Sequence, residues 1–121
     1  MLKVTIEVEP SKAFLRDVVI TAVEGGIGYW AVCKRYKWEG REFPEVILEP
    51  AGEPDEFAVT TLTPELVVAG LQLALQRPSF EANGKKLRIL QALAEDDTSQ
   101  LDCEDCDCII QLAVLKDVVY G

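Results

Sequence analysis

"DCEDCDCIIQLAVLKDVVYG", residues 102–121, decides how this chain folds. Asp102 is a good N-cap, and the acids of the following turn suit the positive end of a helix dipole. A helix is therefore expected from Asp102 to about Lys116. Around it, Cys106, Ile109, Ile110, Ala113 and Val114 form a broad apolar face, which Leu112 and Leu115 carry around the back. Only Glu104, Asp107 and Gln111 remain as a narrow polar stripe. A helix this apolar belongs at the centre of a fold, with other elements packed around it. "VVYG" then ends as a short strand or a docked tail.

The elements around that helix follow from periodicity. "LKVTIEV", residues 2–8, alternates Leu2, Val4, Ile6 and Val8, which predicts a strand. Ser11 caps a helix to Glu24 whose buried stripe is Phe14 or Leu15, Val18, Val19, Ala22 and Val23. Gly25-Gly26 closes it. "IGYWAVCKRYKW", residues 27–38, predicts a strand with Ile27, Tyr29, Ala31 and Cys33 on one face and Trp30, Val32, Lys34, Tyr36 and Trp38 on the other. "PEVILEP" and "EFAVTTL" predict two more, with connections short enough for an antiparallel meander. Thr63 caps and Pro64 opens a helix ended by Pro78, with Leu66, Val67, Leu71, Ala74 and Leu75 as its apolar side. "KKLRILQALAED" predicts another, with Leu87, Leu90 and Ala94 in step. The order is β-α-β-β-β-α-α-α: one α+β domain over residues 1–121, with about four helices packed on a mostly antiparallel sheet of about four strands.

Composition narrows the function classes. Hydrophobic residues make up 49% of 121, enough for a core without staples. The net charge of −9 argues against direct binding to nucleic acid or an anionic membrane, and no apolar run approaches the ~18 residues of a membrane span. "MLKVTIEVEP" is unlike a signal core, so a cytoplasmic location and reduced cysteines are expected. The charge is uneven. Residues 1–50 carry 7 bases and 8 acids, net −1, whereas residues 51–121 carry 5 and 13, net −8. Seven acids and no base lie between Glu95 and Asp107. Glu95, Asp96, Asp97, Asp102 and Glu104 are the candidate interaction residues, suited to a partner protein with a basic surface.

Histidine is absent, which removes the commonest general base and metal ligand. Cys103, Cys106 and Cys108 invite a zinc reading, with Cys33 as fourth ligand. On one helix, however, Cys108 points about 140–160° away from the other two, so the three cannot meet at one ion. They read as small apolar residues, and no metal or cofactor is expected. "DDTSQLDCEDCD" lacks the glycine and closing glutamate of a calcium loop. "GGIG" follows a helix and precedes a strand, the reverse of a phosphate loop. "CKRYKWEGR" is the one basic, aromatic stretch; a base-stacking role fits poorly with the net charge. Trp38 or Tyr36 would equally suit a homo-oligomer interface.

Glu24 is the odd residue. An acid at a helix C-terminus costs roughly 0.3–1 kcal/mol, so donors from the turn or from the last helix are expected to hold it. Glu24, Tyr29, Trp30, Asp107 and Gln111 therefore form the candidate binding constellation, and Glu24 with Asp107 is the one conceivable acid–base pair. If the constellation is architectural, Glu24→Ala should cost ~1–3 kcal/mol. No catalytic residue is expected.

"TAVEGGIGYWA" and the closing "DCIIQLAVLKDVVYG" resemble a family of small uncharacterised proteins of bacteriophages, prophages and actinobacterial or related genomes. The shared pattern is E-G-G-x-x-Y-W-A, here Glu24, Gly25, Gly26, Tyr29, Trp30 and Ala31, followed by D-x-x-x-Q and Y-G, here Asp107, Gln111, Tyr120 and Gly121. The family often has alanine where this chain has cysteine in the last helix. The resemblance implies no activity. It implies a setting in which small acidic domains bind host proteins, including defence nucleases whose nucleic-acid channels are basic. The expected function is a non-enzymatic interaction module, with a small-molecule site or enzyme at the Glu24-Gly25-Gly26 turn as the alternative.

Overall fold

The structure is a computed structural model and describes residues 7–40, 42–52 and 57–120. Helix α1 (Lys12–Gly25) leads through a 3-10 turn (Ile27–Tyr29) into strands β1 (Ala31–Lys37), β2 (Glu45–Pro50) and β3 (Thr60–Thr61). Helices α2 (Pro64–Gln76), α3 (Pro78–Ala82), α4 (Lys85–Glu95) and α5 (Cys103–Leu115) follow. The fold is α+β, with an antiparallel sheet in the order β1-β2-β3. Among the described residues it has three strands and five helices rather than four of each. The strand expected over residues 2–8 lies, apart from residues 7 and 8, outside the described residues.

The extra helix is α3. Pro78 ends α2 because it has no N–H to donate, and its fixed φ then opens a new turn at the first helical position. Three helices start at the residues expected. Ser11 Oγ accepts from Phe14 N, Thr63 Oγ1 from Leu66 N, and Asp102 Oδ1 from Asp105 N, at 3.1, 3.2 and 2.7 Å. At α5 the bond is reciprocal, with Asp102 N donating to Asp105 Oδ2 in a capping box.

Helix α5 is the centre, with eight buried residues, and both α1 and α2 pack along it. Gly70 of α2 permits the closest approach. A Cβ there would lie 2.5 Å from the Ile109 carbonyl oxygen. From the sheet, Val46 and Leu48 of β2 enter the core, as do Ala31 and Trp30. No helix among the described residues is long and apolar enough to cross a membrane.

Two predicted faces are corrected. First, residues 27–30 are not strand. Gly26, at φ 122°, turns the chain so that Ile27 enters the core, and Trp30 N donates back to Ile27 O. Trp30 is therefore buried instead of sharing an outer face with Val32. Further along, a bulge between Cys33 and Arg35 shifts the alternation, so Tyr36 turns inward with Cys33 and away from Lys34 and Trp38. Second, α4 buries Lys85, Ile89 and Ala92, while Leu87 and Leu90 are 61% and 43% exposed. The reason is electrostatic. Asp105 draws Lys85 inward, and that contact fixes the rotation of the helix.

Candidate functional site

The turn after α1 meets the first half of α5. Gly25 makes this possible, since a Cβ there would fall 2.7 Å from Cys103 Sγ. Tyr29 and Trp30 then reach Asp107 from the same turn. Asp107 Oδ2 accepts from the Tyr29 hydroxyl at 2.5 Å, and Oδ1 accepts from Trp30 Nε1 at 2.8 Å and Gln111 Nε2 at 3.1 Å. These three donors are neutral, and no cation among the described residues pairs with Asp107. Burial, and then the Asp107 carboxylate, push the Tyr29 hydroxyl pKa well up, so Tyr29 stays a donor across the physiological range.

Gln111 is fully buried and ties the C-terminal segment to α5. Its Oε1 accepts from both Val119 N and Tyr120 N at 3.0 Å, and its Nε2 donates to Tyr120 O at 3.0 Å. The side-chain amide thus pairs with the passing backbone much as a neighbouring strand would. The tail is docked rather than paired in a sheet. It carries Tyr120 onto Trp30, with ring centroids 6.1 Å apart and planes 8° from parallel, and edge-on to Tyr29 at 6.3 Å and 87°.

A cleft of about 640 Å³ opens beside this cluster. Tyr29, Asp107, Tyr120, Cys103, Glu104 and Lys85 are among its walls, with Gly25 and Gly26 at one side. Of the five candidate binding residues, Tyr29 and Asp107 line it, and Trp30 and Gln111 brace them from behind. Glu24 is not part of it. Its carboxylate is exposed and accepts from the Tyr36 hydroxyl across the bulged strand, so neither the turn nor α5 supplies its donor. That bulge is what turns Tyr36 toward the end of α1. The two carboxylates of the conceivable acid–base pair thus have separate partners.

The candidate interaction residues are all solvent-exposed. Three of them also accept backbone hydrogen bonds, two locally and one from the start of α1. Asp96 accepts from Ser11 N at 3.1 Å, Asp97 from Ser99 N at 2.9 Å, and Asp102 caps α5. The bonds from Ser99 hold the Asp97 carboxyl below its ordinary range. Glu95 ends α4, and Glu104 lies 3.5 Å from Lys85 Nζ.

The sequence reading missed Asp105. It is buried, and accepts from Lys85 Nζ at 2.8 Å and bidentately from Arg88 at 2.9 and 3.1 Å. Burial opposes its charge, but the hydrogen bonds from Arg88 and Lys85 outweigh it and hold the carboxyl below its ordinary range. Two signals were available: the D-x-x-D capping spacing, and Lys85 and Arg88 one helical turn apart.

The cysteines are dispersed. Cys106 and Cys108 are buried, Cys103 is exposed, and Cys33 is half-buried. Burial pushes the Cys106 thiol up to about 12, so it is neutral and inert. Among the described residues no three Cys, Asp or Glu side chains are grouped to hold a metal ion. No protein-family profile, curated protein or solved structure matches the chain.

Proposed function

We propose that this protein is a small, non-enzymatic interaction module that presents the acidic α4–α5 connection to a partner protein with a basic surface. The observation that carries this reading is the way residues 95–104 are held. Their carboxylates are exposed, while Asp96, Asp97 and Asp102 fix the connection through backbone hydrogen bonds. A fixed array of like charges steers a basic partner and loses little order on binding it. The resemblance to phage and prophage proteins supports a cytoplasmic host protein as partner. A defence nuclease with a basic nucleic-acid channel fits the charge.

The test is capture from a bacterial lysate by the wild type and by a Glu95→Gln/Asp97→Asn variant, washed at low and high salt. The expected result is a specific protein that the wild type retains, that salt releases, and that the variant fails to hold. Retention insensitive to both salt and the two substitutions overturns the reading.

A second reading rests on the cleft, which has Gly25 and Gly26 on one wall. In it, the turn after α1 binds a small molecule and the acidic connection serves only solubility.

A further inference from the structure

We infer that the cleft between the turn, α5 and the C-terminal segment is a cation pocket that receives a lysine or arginine side chain of the partner. This rests on the proposed interaction function and names what the partner inserts. Three features of the cleft carry it.

The first is an oriented carboxylate that no cation among the described residues pairs with. Asp107 is held from behind by Tyr29, Trp30 and Gln111, all neutral donors, so its charge remains available at the cleft wall. Oδ2 accepts one of these bonds and Oδ1 two, which leaves capacity on Oδ2 for a further donor.

The second is the aromatic wall. Tyr29 and Tyr120 both line the cleft with their planes 87° apart, and Trp30 is stacked behind Tyr120. Aromatic rings beside a carboxylate suit an alkylammonium or guanidinium group.

The third is the local charge. Lys85 also lines the cleft, but its ammonium is taken up by Asp105 at 2.8 Å and Glu104 at 3.5 Å. The positive end of the α5 dipole is already answered by Asp102, Glu104 and Asp105. Lys85, Glu104 and Asp107 are the charged residues of the lining, so the cleft keeps a net charge of −1, which Asp107 carries.

Its shape favours a side chain over an enclosed metabolite. Tyr29 is 54% exposed and the Glu104 side chain 73%, so the mouth is open. Glu104 belongs both to the acidic connection and to the cleft. A basic surface meeting one is therefore adjacent to the other.

The experiment uses the full chain and three probes at constant ionic strength. These are N-acetyl-lysine methylamide, the same compound acetylated on its Nε, and butylammonium chloride. The Trp30 indole N–H resonance reports on Asp107. Iodoacetamide labelling of Cys103, the exposed thiol in the cleft, reports on occupancy. The lysine compound should shift the resonance and, at half-saturation, halve the labelling rate, while its neutral Nε-acetylated form does neither. Asp107→Asn should weaken the lysine compound about tenfold, as expected for loss of one charge-assisted hydrogen bond. Glu104→Gln, on a solvent-facing side chain, should weaken it less and provides a variant whose folding is not in question. Equal effects of the charged and neutral compounds, or none from either, overturn the cation pocket, whatever the acidic connection captures. Butylammonium binding far more tightly than the lysine compound overturns the side-chain assignment in favour of a free amine. Intact lysine binding in Glu95→Gln/Asp97→Asn, when that variant no longer captures a partner, supports the cleft as a site separate from the steering surface.

Discussion

Asp105 and Asp107 stand two residues apart on α5 and are partnered in different ways. Asp105 is buried and met by two cations, Lys85 and Arg88, with a backbone N–H of the capping box completing its shell. Asp107 is half-buried at a cleft and, among the described residues, is met by neutral donors, a hydroxyl, an indole and an amide. Neighbours on a helix point about 200° apart over two residues, so one acid faces α4 and the other the turn after α1. The Asp105 cluster closes charge inside the fold and fastens α4 to α5. The Asp107 cluster fixes a charge in direction and, among the described residues, leaves it without a cation. The first arrangement is architecture, and the second has the form of a binding group.

The largest effects should separate the two. Asp105→Ala leaves Lys85 and Arg88 without their carboxylate and should cost ~3–5 kcal/mol, as expected when one partner of a buried pair is removed. Asp107→Ala removes the acceptor of three neutral donors, of which Trp30 and Gln111 are buried and Tyr29 is exposed, and should cost about 1–3 kcal/mol. Urea melts of both variants measure this. If Asp107→Ala proves as costly as Asp105→Ala, both clusters are architectural and the contrast fails.

Gln111→Leu comes next. The amide holds the tail backbone at three points and also touches Asp107, so its loss should cost ~2–4 kcal/mol, with the apolar leucine side chain recovering some packing. The informative readout is Tyr120. Amide exchange at Val119 and Tyr120 should become fast in the variant while the core stays protected. Unchanged exchange there would mean that ring stacking alone docks the tail.

How much of this was legible depends on whether the cause is local. Helix starts at Ser11, Thr63 and Asp102 could be read because a cap acts within three residues. The apolar surface of α5 marked it as central because so little of it is polar. Asp107 and Gln111 stood out as the polar remainder, and the aromatic pair Tyr29-Trp30 stood out beside the glycine turn. Errors arose where a distant partner overrides a local pattern. Leu87 and Leu90 keep a plausible helical stripe, but Asp105 rotates Lys85 inward and leaves them outside. The strand faces failed at the 3-10 turn over Ile27–Tyr29 and at the bulge between Cys33 and Arg35, neither of which a two-residue alternation reveals. Asp105 itself was lost within a run of seven acids, where the capping spacing from Asp102 and two cations on another helix distinguish it.

Acid should weaken the Asp105 cluster, with a smaller effect than the substitution. The folded pKa of Asp105 lies below its unfolded value. Its contribution is therefore full above the unfolded value, about 3.9, and is lost as pH falls through the folded one. Stability of the wild type should drop below about pH 4, and Asp105→Asn should flatten that part of the curve. At the other end, the Cys106 thiol is raised to about 12, so its stabilising effect is full below its unfolded value and is lost as pH rises toward 12. Thermal melts across both ranges test the signs. An acid limb unchanged in Asp105→Asn would assign the titration to other carboxylates.

The smallest effect belongs to a third carboxylate, Glu24. Its position at the end of α1 suggested a buried anchor, yet it is exposed and its partner is the Tyr36 hydroxyl. That hydroxyl is pushed up to about 12 by burial and by Glu24. An exposed hydrogen bond of this kind contributes less than about 1 kcal/mol, comparable with the opposing cost of an acid at a helix C-terminus. Glu24→Ala should therefore leave stability within about 1 kcal/mol of wild type, well short of the ~1–3 kcal/mol expected of a buried charged anchor. A double-mutant cycle with Tyr36→Phe isolates the pair, and its coupling should be a few tenths of a kcal/mol. A coupling as large as that between Asp105 and Arg88 would move Glu24 into the architectural class. It would also mean that exposure is a poor guide to which acids this fold relies on, so the availability of Asp107 would then have to rest on probe binding alone.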